Sequence, residues 1–127
     1  MSKATFSKNE RLKSRKQISL IFQQGKALKV FPVRFHYILS PLEDETEIMN
    51  VGFVVPKRNF KKAVDRNKYK RRMFESVRLN RASLMKKLKE QKLHIDVMIV
   101  YIHRESGRFE YIEKAVKKGF EKLENIL

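Results

Sequence analysis

The sequence has no cysteine, and only 14 of its 127 residues are acidic. The first absence excludes disulfides and thiolate metal sites and leaves a reducing compartment open. The second leaves little from which to build the carboxylate cluster that a metal-dependent protein nuclease needs to hold magnesium. The acids present gather at Glu43, Asp44, Glu45 and Glu47, a solvated turn, or lie scattered along helical segments. No apolar run approaches the roughly 20 residues that span a bilayer. Met1 to Ser14 is polar and basic, without a secretory apolar stretch. Four glycines and three prolines are spread singly, with no repeat, low-complexity tract or linker. A single domain over residues 1–127, cytoplasmic and without a membrane partner, is the expectation.

Positive charge is what the chain has in excess. There are 30 Lys and Arg residues, a formal charge of +16, and 42% hydrophobic residues, so this is a folded basic domain and not a disordered tail. Such a domain is suited to a polyanion, nucleic acid first among them. The excess is local. Residues 1–29 hold eight basic side chains and one acidic, and residues 57–72 hold nine and one. Residues 104–124, with six basic and five acidic, have the balance of an ordinary solvated helix face.

Hydrophobic periodicity lays out the elements. "SRKQISLIFQQG" predicts a first helix, with Ser14 and Gln17 as a capping box, Ile18, Ile21 and Phe22 on one face, and Gly25 past its end. "VFPVRFHYIL" alternates Val33, Phe35, Tyr37 and Leu39 against Arg34 and His36, a strand, and "MNVGFVVP" alternates Val51, Phe53 and Val55. The two are expected to pair antiparallel across the acidic turn. A second helix is expected from Asp65, with Tyr69, Met73, Val77, Leu84 and Leu88 in one apolar stripe. Arg66, Asn67, Lys70, Arg71, Phe74 and Arg78 fall on an adjoining face. "LHIDVMIVYI" is apolar enough for an interior strand. After a turn at Ser106–Gly107, Phe109, Ile112, Val116, Phe120 and Leu123 mark a closing helix. Gly119 in its middle is tolerable if another element packs closely there. The order α-β-β-α-β-α, with room for one more short strand, predicts a two-layer α+β sandwich.

The segment "VGFVVPKRNFKKAVDRNKYKRRMFESVR" resembles the signature of the bacterial ribonuclease P protein subunit. Its parts are the basic pair Lys57–Arg58, then Ala63–Val64, Arg66–Asn67 and Lys70–Arg71. The resemblance extends upstream to "RLKSRKQISLIFQQGKA" and downstream to "IDVMIVYI" and the last helix. It implies a ribosomal-protein-S5 domain-2-like fold with a left-handed βαβ crossover. It also implies a function: assisting a catalytic RNA subunit that removes 5′ leaders from precursor tRNA, with Mg2+ held mainly by the RNA and the protein alone inactive. Pro56, Phe74 and Ile18 depart from the family pattern, standing where Ser, Arg and an aromatic residue are common.

For RNA-subunit binding the candidates are Lys57, Arg58, Arg66, Asn67, Lys70, Arg71, Arg72 and Arg78. Guanidinium forks and ammonium charges suit phosphate oxygens, and Asn67 suits phosphate or ribose. For the precursor-tRNA leader the candidates are Arg11, Lys13, Ile18, Phe22, Phe35 and Tyr37, the rings offering stacking surfaces to unpaired bases. Phe22 and Tyr37 are expected to meet across a cleft between the first helix and the sheet. His36, His94 and His103 show neither metal-ligand spacing nor an evident acidic partner and are read as structural or RNA-facing. No catalytic residue and no DNA partner are expected. The competing classes are a metal-dependent protein nuclease and an RNA-binding module of another purpose.

Overall fold

The structure is a computed structural model and describes residues 11–127 except Lys13, Glu45, Asn59 and 104–108. The expected Ser106–Gly107 turn lies outside the described residues. The elements are α1 (Arg15–Gln24), β1 (Lys26–Val30), β2 (Val33–Pro41), β3 (Met49–Val54), α2 (Ala63–Asn80), α3 (Ala82–Glu90), β4 (Leu93–Tyr101) and α4 (Phe109–Ile126). The additional short strand is β1, which forms a hairpin with β2 through a two-residue turn at Phe31–Pro32.

The sheet order is β1-β2-β4-β3. The expected antiparallel pairing of the second and third strands is not made. β4 lies between them, antiparallel to β2 and parallel to β3. Six successive residues of β4, His94 to Ile99, are buried, so this strand is covered on both faces as well as paired on both edges. The acidic connection Leu42–Ile48 steps across the end of β4. Its seven residues easily cover two strand spacings of about 5 Å each. Hydrogen bonds from Leu42 N to Lys92 O and from Ile95 N to Ile48 O, each 2.9 Å, pin it there.

One sheet face carries Val33, Phe35, Tyr37, Val51, Ile95, Val97, Ile99 and Tyr101, which join Tyr69, Met73, Val77, Leu84, Leu88, Ile112, Val116 and Phe120 in the main core. So α2, α3 and α4 cover this face. The predicted stripe from Tyr69 to Leu88 is buried as expected, but on two helices. The Asn80 side chain donates to Ser76 O at 2.7 Å at the end of α2, a local bond that competes with helix continuation. The chain then restarts at Ala82. The second helix also begins two residues before Asp65, at Ala63, with Lys62 at its N-cap.

The close approach expected at Gly119 is present. A Cβ there would overlap the Phe35 ring, so α4 reaches β2 only because position 119 is glycine. Among the described helices, α1 lies against the opposite sheet face. Ser14 Oγ caps it by accepting from Gln17 N at 3.3 Å, and Ile21 is its buried residue.

Candidate nucleic-acid interface

Tyr69, Met73, Ser76 and Val77 face inward on α2, so the basic residues between them must point away from the core. Asn67, Lys70 and Arg71 are exposed, and Lys57 and Arg58 are exposed on the turn that follows β3. These five form the open part of the predicted face.

The other three predicted contacts are partly occupied within the protein. Arg66 donates through Nη1 to Phe60 O and Lys61 O, each at 2.8 Å, and so holds the loop that enters α2. Arg78 donates to both carboxylate oxygens of Glu75, a bidentate pair that holds Glu75 below its ordinary carboxylate pKa. Arg72 lies 5.9 Å from the centroid of the Tyr69 ring. These side chains shape the face as well as charge it.

Arg11 stands in an unexpected place. The chain runs beside edge strand β3 there, bridging Val51, with Leu12 N donating to Val51 O at 3.0 Å. This sets the Arg11 guanidinium over the Phe74 ring, 4.9 Å from its centroid. A cavity of about 540 Å³ opens here, lined by Arg11, Leu12, Gly52, Lys70, Arg71 and Phe74 among others. At Phe74, which carries no charge of its own, a guanidinium is supplied from a distant part of the chain.

The expected leader cleft is corrected by the direction of β2. Phe35 is 0% and Tyr37 3% exposed, both on the face under α2 to α4, so neither meets Phe22 across a cleft. Burial also raises the pKa of the Tyr37 phenol. The strand residues on the α1 side are Arg34, His36 and Ile38. Phe22, 40% exposed, packs its ring 4.8 Å from that of His36. Burial, then the charge of Arg34, lowers the His36 pKa, so the ring is neutral near pH 7. Ile18 is half-buried on the same helix, and Lys13 lies outside the described residues. The polar half of β2's alternation was the signal for Arg34 and His36. An aromatic alternating with polar residues belongs first to the core.

His94 does have an acidic partner, contrary to expectation. Its Nε2 is 2.8 Å from Asp96 Oδ1, two residues on and therefore on the same strand face, and its Nδ1 meets the Glu47 carbonyl. Both ring nitrogens face acceptors, which only the doubly protonated imidazolium satisfies. The hydrogen bond to Asp96 accordingly raises the His94 pKa most, against desolvation. Asp96 Oδ2 accepts from Gln17 Nε2 at 2.7 Å, which ties α1 to β4. Among the described residues, no three His, Asp or Glu side chains gather where they could hold one metal ion.

The family model for ribonuclease P matches residues 6–124. The chain belongs to the bacterial ribonuclease P protein family. It is 35% identical over 120 residues to the ribonuclease P protein component of a Porphyromonas gingivalis strain, covering 93% of this chain and 87% of that one. The Thermotoga maritima component is 30% identical over 123 residues, 97% of this chain and 93% of that one. Among solved structures, a Staphylococcus aureus RNase P protein mutant with defective mRNA degradation activity aligns with a TM-score of 0.66 at 18% identity. That alignment covers 91% of this chain and 89% of the other. The T. maritima RNase P protein aligns with a TM-score of 0.55 at 23% identity, with the same coverage. At those identities the structures establish the fold, a four-stranded mixed sheet packed with helices. As a ribonuclease P protein the chain is an integral, non-catalytic component of the enzyme and acts with its RNA subunit in maturing the 5′ end of tRNA. Membership also implies RNA partners, among them precursor tRNA, and Mg2+-dependent catalysis.

Proposed function

We propose that the face formed by Lys57, Arg58, Asn67, Lys70 and Arg71, extended by Arg11, is where this ribonuclease P protein grips the RNA subunit. The supporting observation is the outward row of cations on α2 beside Arg11, at a sheet edge that phosphates can approach. Arg66, Arg72 and Arg78 hold that face in shape and add positive charge to it. The leader of precursor tRNA runs on the α1 side of the sheet, against Phe22, Ile18, His36 and Arg34. A neutral imidazole beside a half-exposed ring gives unpaired bases a stacking surface that tolerates any sequence.

On this reading Mg2+ is held mainly by the RNA, and the protein's part is to grip RNA and leader. The 127 residues act as one domain in the cytoplasm. Reconstitution is the test: purified protein mixed with a bacterial ribonuclease P RNA at low magnesium should stimulate cleavage that leaves a 5′-phosphate. Protein with Lys70→Ala and Arg71→Ala should need a higher concentration to do so. Cleavage by RNA-free protein, or equal stimulation by that variant, contradicts these assignments.

A further inference from the structure

A second basic and aromatic surface lies at the other edge of the sheet. Between the β1–β2 turn and α4 is a cavity of about 820 Å³, within the range of pockets that hold small ligands. Phe31, 60% exposed, and Tyr111, 54% exposed, line it. Only one other aromatic among the described residues, Phe22, is as open to solvent as 40%. His103 sets its ring 5.0 Å from that of Phe31, and Ile102 N fixes that end of the chain by donating to Pro32 O at 2.9 Å. The rings thus stand on an anchored turn and on a long helix.

Charge completes the site. Lys29, Lys114, Lys118 and Lys122 line the same cavity, and no acidic residue does so among the described residues. On α4 the three lysines recur every four residues and so stack on one face, an arrangement that works against the helix. Two acids of the helix reach this row, Glu110 four residues before Lys114 and Glu121 three residues after Lys118, and the others lie off it. Glu113 and Glu121 stand four residues to either side of Lys117. The near balance of charge along residues 104–124 therefore conceals a cationic stripe, and it borders two exposed rings.

We propose that this pocket is a further RNA site that takes an unpaired nucleotide, its base against Phe31 and Tyr111 and its phosphates toward the lysines. The rings select for a base, and the four lysines select for the polyanion that carries it. β1 and β3 are opposite edges of the sheet, so the site is distinct from the Lys70–Arg71 face, about three strand spacings away.

The test is amide NMR of the full chain titrated with a single-stranded uridine hexamer, an abasic hexamer and a glutamate peptide of matched charge. The uridine hexamer should shift amides of residues 29–31, 103 and 111–118, and should still do so in a Lys70→Ala, Arg71→Ala background. The abasic hexamer and the peptide should each bind there at least about tenfold more weakly. Phe31→Ala with Tyr111→Ala should lower uridine-hexamer affinity by a similar factor while the rest of the spectrum stays native. Lys114→Gln with Lys118→Gln should weaken both oligomers and flatten their salt dependence. Equal binding of the abasic hexamer would overturn a nucleotide site, as would shifts confined to α1 and α2. A preference for the peptide would show a protein-docking surface instead. Such failures, with the α2 variant still losing the RNA subunit, would leave the function proposed above intact.

Discussion

The guanidinium of Arg11 lies 4.9 Å from the centroid of the Phe74 ring, joining the N-terminal segment to the basic face of α2 across 63 residues of sequence. The ring orients the guanidinium by cation–π attraction and leaves its N–H edge for phosphate. Arg11→Ala should therefore behave as an α2 mutation does, weakening assembly with the RNA subunit and lowering the slope of log affinity against log salt by about one. Phe74→Leu should give part of the same loss without removing any charge. Filter-binding affinity across a salt series measures both, and an Arg11→Ala slope equal to wild type contradicts the role.

Arg66 and Lys70 should part company in a stability measurement. Arg66 holds the carbonyls of Phe60 and Lys61, while Lys70 is exposed. Arg66→Ala is expected to cost about 1–2 kcal/mol of stability in addition to RNA affinity. Lys70→Ala should leave the unfolding midpoint in place and reduce the salt slope alone. Urea titration beside binding separates them. Equal midpoints would assign Arg66 to the RNA only.

Leader affinity should follow Phe22 and His36 and not Tyr37. Phe22→Ala is expected to weaken holoenzyme binding of long-leader precursors by roughly 1 kcal/mol or more and to leave mature tRNA binding unchanged. Tyr37→Ala empties a core position and should lower stability by about 3 kcal/mol or more, reducing every activity together. The measurement is affinity against leader length for both variants. A leader-specific defect confined to Tyr37→Ala would refute the assignment of faces on β2.

The His94–Asp96 pair makes stability depend on pH with a definite sign. The folded pKa of His94 is raised, so its contribution is complete below about 6.5 and is lost as pH rises through the folded value. His36 works in the other direction. Its lowered pKa favours the fold above about 6.5, and that advantage is lost as pH falls toward the folded value. Urea midpoints of wild type and His94→Gln between pH 6 and 8.5 should differ most at the acid end and converge as pH rises. Curves that remain parallel would mean that His94 is neutral in the fold.

Gly119→Ala tests the closest contact between the layers. The added methyl meets Phe35, so a loss of about 1–3 kcal/mol is expected, with partial recovery when Phe35→Leu accompanies it. Thermal unfolding of the single and double variants decides it. A neutral Gly119→Ala would show that α4 can shift away from β2 without cost.

Most elements, the interior place of β4, the outward cations of α2 and the need for a small residue at 119 could be read from the linear sequence. Each depends on local periodicity or local composition, and these survive folding unchanged. Strand order could not be read, because the Leu42–Ile48 connection is long enough either for a hairpin or for a step across β4. Only the ladders that β4 makes with β2 on one edge and β3 on the other decide between them. The wet face of β2 was undecided for a similar reason. Alternation shows that Phe35 and Tyr37 oppose Arg34 and His36, but the side that receives α2, α3 and α4 and the side that receives α1 depend on the packing of the whole chain. Arg11 over Phe74 and the lysine row beside Phe31 and Tyr111 depend on the same packing, since charges and rings far apart in sequence become one surface only when the sheet edges are set.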